Sequence, residues 1–400
     1  MVLVLSLSKD EFVKSFDKKS ALAFIVAFGV VSLFADMAYE GMRSSTGPFL
    51  AQLGASGAAV GIIAGTGELF GYLLRLASGR LAQRTRAYWL IAIAGYVIQM
   101  VAVPLLAFAG NWVAAAILII VERAGKALRN PAANTMMSRA GDHIGQGWAF
   151  GLHEAMDQTG ALAGPLIAAL VLARHGDYRD AFLWLGIPAV LTIVTVIAVS
   201  LRFPYAQNIA ALAPAGSGAK LPRAFWLYAA ASALVGFGFA DYPLIAYHYA
   251  KAATVSPVLI PVFYALAMGA SGAGSLLFGR WFDRKGLSVL VPGIAIGVAV
   301  APLVFFGGFW PALIGTLLWG VSMGVHDAIM NAAVARMVPE QSRAGAYGIF
   351  TAIYGIAWFT GSAILGLLYD VSLLSLVGVA VIAELAALIP LALTIRASRK

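Results

Sequence analysis

Apolar residues in this chain do not alternate with polar ones; they run on. Stretches rich in Ala, Leu, Ile, Val and Gly occupy 21–50, 58–78, 87–109, 111–137, 146–173, 180–201, 223–249, 256–279, 287–307, 310–335, 344–368 and 372–395. Each is about as long as the roughly 20 residues that an α-helix needs to cross a bilayer. A lipid-facing β-barrel would show segments of about ten residues with alternating polarity instead. The pattern therefore predicts an all-α chain of twelve membrane-spanning helices. The first stretch follows Lys14, Lys18 and Lys19, as the apolar part of a secretory signal does, yet it runs past the length such a part needs and carries Asp36 and Glu40. It reads as a retained span. Residues 1–19, with Phe12 and Phe16 one helical turn apart, form a cytoplasmic segment, either an amphipathic helix on the membrane surface or a frayed tail.

Composition sharpens this. The chain is 61% hydrophobic and 11% charged, whereas soluble domains average about 45–50% and about 25%. A cytosolic enzyme is excluded, and the absence of cysteine excludes a disulfide-stapled secreted domain. The net charge of +9 does not signal nucleic acid, because it sorts by connection. With both termini inside, 19 of the 27 Lys and Arg fall in cytoplasmic segments and only Arg174, Arg179 and Lys251 fall outside, while Arg43, Arg75, Arg123, Lys126 and Arg129 lie within spans. The expected location is the cytoplasmic membrane, multi-pass, with both termini cytoplasmic.

The second half repeats the first. At an offset of 200, Ser78-Gly79-Arg80 falls on Phe278-Gly279-Arg280 and Gln83-Arg84 on Asp283-Arg284; at 197, Asn134 and Arg139 fall on Asn331 and Arg336, and Gly164 on Gly361. In the first spans of the halves, Phe34-Ala35-Asp36 matches Phe239-Ala240-Asp241. Residues 204–222, rich in Pro, Ala, Gly and Ser, read as a cytoplasmic linker. The units are then a segment 1–19, a six-helix bundle 20–203, the linker 204–222, a second bundle 223–396 and a tail 397–400.

At these points the chain resembles the major facilitator superfamily over nearly its whole length. The family's signature after span two appears as Gly79-Arg80-Leu81-Ala82-Gln83-Arg84-Thr85-Arg86 and returns after span eight as Gly279-Arg280-Trp281-Phe282-Asp283-Arg284-Lys285-Gly286. Gln83 stands where the family has aspartate, in a loop thought to latch by charge onto neighbouring helix ends. Gly160-Ala161-Leu162-Ala163-Gly164-Pro165 in span five is similar to the Gly-Pro motif of exporters, without its following glycine pair, and Arg123 near Gly125 resembles the arginine motif of span four. The resemblance implies two six-helix bundles related by a pseudo-two-fold axis, a central site reached alternately from each side, and proton coupling. It marks Gly79, Arg80, Arg84, Gly279, Asp283 and Arg284 as gating-loop residues.

Other motifs have plainer readings. Gly65-Thr66-Gly67-Glu68-Leu69-Phe70-Gly71 and Gly145-Gln146-Gly147-Trp148-Ala149-Phe150-Gly151 miss the dinucleotide fingerprint by one residue and follow no strand. Small residues four apart serve close helix packing in membranes. No Gly-Lys-Ser/Thr phosphate loop occurs, so transport would draw on a gradient rather than on nucleotide. His153-Glu154-Ala155-Met156-Asp157 has zincin-like spacing. A charge seam between spans four and five is the more economical reading, with Lys126 and Arg129 against Glu154 and Asp157.

Intramembrane charge carries the most information, because a charged side chain at mid-bilayer is costly and faces the protein interior or water. Spans one to five hold Asp36, Glu40, Glu68, Glu122, Glu154 and Asp157 with five cations, whereas the second half holds Asp241, Asp327 and Glu384 with His248 and His326. Asp36, Glu40 and Arg43 at i, i+4 and i+7 share one helical face and are expected to line the cavity. Asp36, Glu40 and Glu68 are the proton-coupling candidates; Arg123, Lys126, Asp241, Tyr242 and His248 are the substrate-binding candidates. Glu122 and Lys126 can pair at i, i+4, and surplus positive charge in span four suits an anionic group.

The expected function is secondary transport of a small molecule, proton-coupled and directed outward, by a monomer in contact with membrane lipid, with no cofactor, no resident metal, no nucleic acid and no enzyme activity. Two other readings stand beside it. One is a divalent metal-ion carrier using Asp36, Asp241, His248 and Asp327; the other is a non-transporting membrane sensor or scaffold.

Overall fold

A computed structural model describes residues 18–206, 221–338 and 343–397. Most of the 1–19 segment and of the linker, and all but the first residue of the 397–400 tail, lie outside the described residues, as does the side chain of Asp327. The rest is helical: α1 (Lys18–Gln52), α2 (Gly57–Thr85), α3 (Tyr88–Leu105), α4 (Trp112–Gly141), α5 (Gln146–His175), α6 (Tyr178–Arg202), the two halves of a broken span α7a (Arg223–Gly238) and α7b (Tyr242–Lys251), then α8 (Leu259–Lys285), α9 (Leu290–Phe306), α10 (Phe309–Met337), α11 (Arg343–Val371) and α12 (Leu373–Ala397). Local chemistry sets the ends. Ser56, Asn111 and Asp177 place side-chain oxygens on the first N–H groups of α2, α4 and α6, and Gly176 closes α5 in the left-handed region at φ 78°.

Nine stretches among the described residues are long and apolar enough to cross a membrane, one of them covering α8 and α9 together. α4 is not among them, since Glu122, Arg123, Lys126 and Arg129 fall within two turns of it. Its charged face has to be enclosed by other helices. The outer surface is apolar, with Leu90, Ile187, Val190, Leu276, Ile382 and Ile389 exposed, as lipid-facing helices require.

The span expected as one helix over 223–249 is broken at Phe239-Ala240-Asp241. Pro243 has no N–H to give a helix interior and fits only a first turn, and the Asp241 carboxylate caps the new start by accepting from the Tyr242 N–H at 2.9 Å. The Trp319 indole donates to the freed Ala240 carbonyl at 2.9 Å.

α1–α6 and α7a–α12 form two bundles. Glycines let backbones mesh: a Cβ on Gly164 would lie 2.1 Å from the Met37 carbonyl oxygen, and one on Gly361 would lie 2.1 Å from that of Phe237. These contacts correct the repeat register. Gly164 and Gly361 are 197 apart as expected, but their partners Met37 and Phe237 are 200 apart, so Asp36 is level with Gly236 and not with Asp241.

Between bundles, α2 packs on α11, α5 on α8 and α1 on α7b. One end is shut. There a Cβ on Gly47 would lie 2.0 Å from the Pro243 carbonyl oxygen and one on Gly61 would lie 2.2 Å from that of Ser362. The Tyr247 hydroxyl donates to the Ala55 carbonyl at 2.9 Å, and Asp370 accepts from the Gly57 and Ala58 N–H groups at 2.9 and 2.8 Å. Towards the other end, added Cβ atoms on Gly71, Gly147, Gly151, Gly279 and Gly345 would meet nothing within 4 Å. The bundles splay apart on the side that bears the linker.

Candidate functional site between the bundles

α1 supplies the spine of the site. Its face Asp36, Tyr39, Glu40 and Arg43 turns inward, and α1 reaches both bundles through it. Arg43 Nη2 donates to Asp241 Oδ1 of α7b at 2.9 Å, with Asp241 1% exposed. Tyr264 of α8 donates its hydroxyl to Glu40 Oε2 at 2.5 Å. Within the first bundle, Glu68 Oε1 lies 3.0 Å from Arg123 Nη1 and 4.0 Å from Arg43 Nη2. The result is a continuous chain, Asp241 to Arg43 to Glu68 to Arg123, and Arg123 donates onward to the Tyr39 hydroxyl. A second chain lies beside it. Gln99 donates to Glu122 Oε1 at 2.7 Å and accepts from Arg129 Nε at 2.6 Å; Arg129 also reaches the Tyr96 hydroxyl at 3.0 Å and Asp36 Oδ1 at 3.9 Å. Such networks hold charge in a dry interior only because each member keeps a partner.

The seam expected between α4 and α5 is not made as drawn. Arg129 turns to Asp36 and Gln99, and the Lys126 ammonium sits over the Tyr39 ring, 3.6 Å from its centroid. Glu154 accepts from Gln158 at 2.9 Å, and Asp157 lies 3.6 Å from His153 Nε2, the i, i+4 pair that resembled a zincin. Glu122 takes Gln99 rather than Lys126. Helix rotation decides these partners: α1 lies against both α4 and α5, so its carboxylate reaches the α4 cations first.

The substrate-binding candidates also separate. Arg123, Lys126 and Asp241 join the network above. Tyr242 is buried and donates to the Ile260 carbonyl at 2.8 Å, its ring against Tyr264. His248 is at the closed end, with Nδ1 3.1 Å from the Tyr369 hydroxyl and its ring on Phe305. Asp36, Asp241 and His248 thus have three different partners, and among the described residues no group of three His, Asp or Glu is placed to hold a metal ion.

The residues marked for gating loops lie on helices. Gly79, Arg80 and Arg84 are in the last turns of α2; Gly279, Asp283 and Arg284 are in those of α8. Asp283 lies 3.3 Å from Arg336 of α10. Its repeat counterpart is Gln83, and Arg139, the counterpart of Arg336, turns instead to Asp142 at 3.5 Å. Among the described residues the charged latch exists in one half.

Several members of the site escaped sequence reasoning. Tyr39, Tyr96 and Tyr264 look like ordinary span aromatics, although Gln99, an amide in an otherwise apolar span, was a usable signal. Next to the network, between α2, α10 and α11, lies a cavity of about 240 Å³ whose wall includes Glu68, Tyr72, Arg75, His326, Tyr354 and Trp358.

The family description of the major facilitator superfamily matches residues 20–362 and again 242–400. The chain belongs to the major facilitator superfamily. It is a multi-pass membrane protein of a transporter family, with the family's two-bundle fold. An uncharacterized protein of Mycobacterium tuberculosis, Rv2265, is 40% identical over 378 residues, 92% of either chain. An uncharacterized MFS-type transporter of Methanocaldococcus jannaschii, MJ1317, is 24% identical over 87% of this chain and 89% of its own. Among solved structures, the nucleoside transporter NupG superposes with a TM-score of 0.78 at 12% identity, covering 92% of this chain and 99% of that one. The peptide transporter POT superposes with a TM-score of 0.74 at 13% identity, covering 96% and 99%. At such identities these structures speak for the fold.

Proposed function

We propose that this superfamily member is a proton-coupled transporter that exports a small molecule from the cytoplasm, with both termini and the linker inside. The observation that carries the reading is the chain from Asp241 through Arg43 and Glu68 to Arg123, because it crosses the bundle interface beside the cavity. Rocking of the bundles changes the Arg43–Asp241 and Glu40–Tyr264 contacts, so charge in the network and exposure of the cavity cannot vary independently. On the basic-residue topology, the splayed end faces the cytoplasm and the molecule is inward-open. Asp36 is the coupling candidate. Its contact with Arg129 is long, at 3.9 Å, and a proton arriving there frees Arg129 without disturbing the shorter Arg129–Gln99 bond. Glu40 and Glu68 are tied more tightly, to Tyr264 and Arg123, and serve as the next relay positions. The outward direction rests on the Gly160–Pro165 motif.

The test uses inside-out vesicles with an acid interior and a pH-sensitive dye. A compound that the protein exports dissipates the gradient in the parent, and Asp36→Asn abolishes the response while leaving counterflow of labelled compound. Undiminished dissipation by Asp36→Asn overturns the assignment.

A further inference from the structure

The cavity between α2, α10 and α11 contains one cation that the charge network does not use. Arg75 has no carboxylate within 4 Å among the described residues, and its Nε has no hydrogen-bond partner. Glu68, seven residues before it on the same helix and in the same wall, is already held by Arg123 at 3.0 Å and approached by Arg43 at 4.0 Å. The cavity therefore offers a guanidinium with no carboxylate in contact, Glu68 acting on it only from beyond ion-pair distance.

The rest of the wall is aromatic. Tyr72 meets Tyr354 edge to face at 6.0 Å and 86°, and Tyr354 meets Trp358 at 5.4 Å and 64°. The Arg75 guanidinium lies 5.5 Å from the Tyr72 ring centroid. Met323, Met330, Phe350 and Thr351 complete the surface, and thioethers adapt to the edge of a flat ligand. Two wall residues also hold a buried polar atom with no partner: Nδ1 of His326, 6% exposed, and Nε1 of Trp358, 3% exposed. A buried indole N–H without an acceptor is costly and seldom found in folded proteins, and an indole N–H can only donate.

We propose that this cavity binds a flat aromatic carboxylate, with the carboxylate on Arg75, the ring among Tyr72, Tyr354 and Trp358, and an acceptor atom within reach of the Trp358 indole. Each part of that ligand answers a feature present in the wall. Aliphatic anions leave the aromatic surfaces unfilled, and aromatic cations meet Arg75 with like charge. The inference deepens the transport reading only in placing this ligand on the transport path; binding itself does not depend on that reading.

The test is a thermal-shift and calorimetric comparison on the purified full chain in nanodiscs, using indole-3-acetate and 2-naphthoate against cyclohexanecarboxylate, decanoate and benzylamine. The aromatic carboxylates bind and raise the melting temperature; the other three do so at least about tenfold more weakly. Arg75→Gln weakens the aromatic carboxylates about tenfold or more, the scale of a lost charge-assisted bond, while retaining the parent melting temperature without ligand. Trp358→Phe keeps the aromatic surface and gives a smaller loss. Equal binding of cyclohexanecarboxylate, tighter binding of benzylamine, or affinity unchanged in Arg75→Gln overturns the proposal. Should Arg75→Gln fail to fold, Thr351→Trp, which fills the cavity from α11, must block the aromatic carboxylates, and undiminished binding there overturns it equally. Binding without proton movement in vesicles leaves the site standing and removes the transport role.

Discussion

Asp370 offers a direct handle on the equilibrium between the two faces. Its carboxylate stands at the end of α11 and accepts from the N–H groups of Gly57 and Ala58, the first of α2, across the bundle interface. A bond of this kind exists only while that end is shut. Asp370→Ala leaves two helix-start donors to water, an exchange that costs about 1 kcal/mol and up to about 2 in other helix caps. The lost anion at an exposed helix start adds a few tenths. About 1.4 kcal/mol corresponds to a tenfold change in an equilibrium constant, so the population open at that end should rise about tenfold. Because the chain has no cysteine, spin labels at Gln52→Cys and Ser256→Cys, one in each bundle at that end, report the change by double electron–electron resonance. The long-distance population grows in Asp370→Ala, and Asp370→Asn lies between it and the parent. A distance distribution identical to the parent's refutes the reasoning, since the bond would then contribute nothing to closure.

Other outcomes follow from the same geometry. Arg43→Met strands Asp241 in the interior and destabilises by about 3–5 kcal/mol, whereas Arg43→Met with Asp241→Asn recovers most of that loss; equal melting of the single and double variants would disprove the pairing. Gly164→Val and Gly361→Val drive a side chain into carbonyls that an ideal Cβ would already approach to 2.1 Å and cost at least the 1–3 kcal/mol or so of overpacking, while Gly151→Ala, with open space around it, changes thermal stability little. Single cysteines at Ser217 and Gln52 react with impermeant maleimide from opposite sides of the membrane, Gln52→Cys from outside in intact cells; the reverse labelling overturns the orientation.

How far the sequence foretold the site depends on what each feature needs to be seen. Span positions follow from hydropathy alone, and the inward face of Asp36, Glu40 and Arg43 follows from helical periodicity. Partner choice does not, because it depends on depth and rotation of helices whose contacts lie far apart in the chain. Lys126 and Arg129 were near α5 in depth, yet α1 presents Tyr39 and Asp36 to them. The break in span seven was visible in Pro243 but hidden by an otherwise unbroken apolar run. It also undid the match of Asp36 to Asp241, since a local Phe-Ala-Asp identity carries less weight than the backbone contacts of Gly164 and Gly361. Of the cavity wall, Glu68, Arg75 and His326 stand out in the sequence as polar groups within spans, whereas Tyr72, Tyr354 and Trp358 do not, since aromatics there usually serve packing.

The bare glycine faces at the shut end have a consequence for the water around the molecule. Gly47 against Pro243 and Gly61 against Ser362 bring main chain onto main chain with no side chain between. When that end opens, two strips of peptide surface must be hydrated anew, whereas the splayed end has no comparable backbone contacts to wet or dry at Gly71, Gly147 and Gly151. The two faces of the cycle therefore differ in how much peptide surface they wet. Solutes excluded from peptide groups, such as trimethylamine N-oxide or sucrose, press the molecule toward its drier form, and osmotic strength becomes a thermodynamic variable of the cycle alongside the ion gradient.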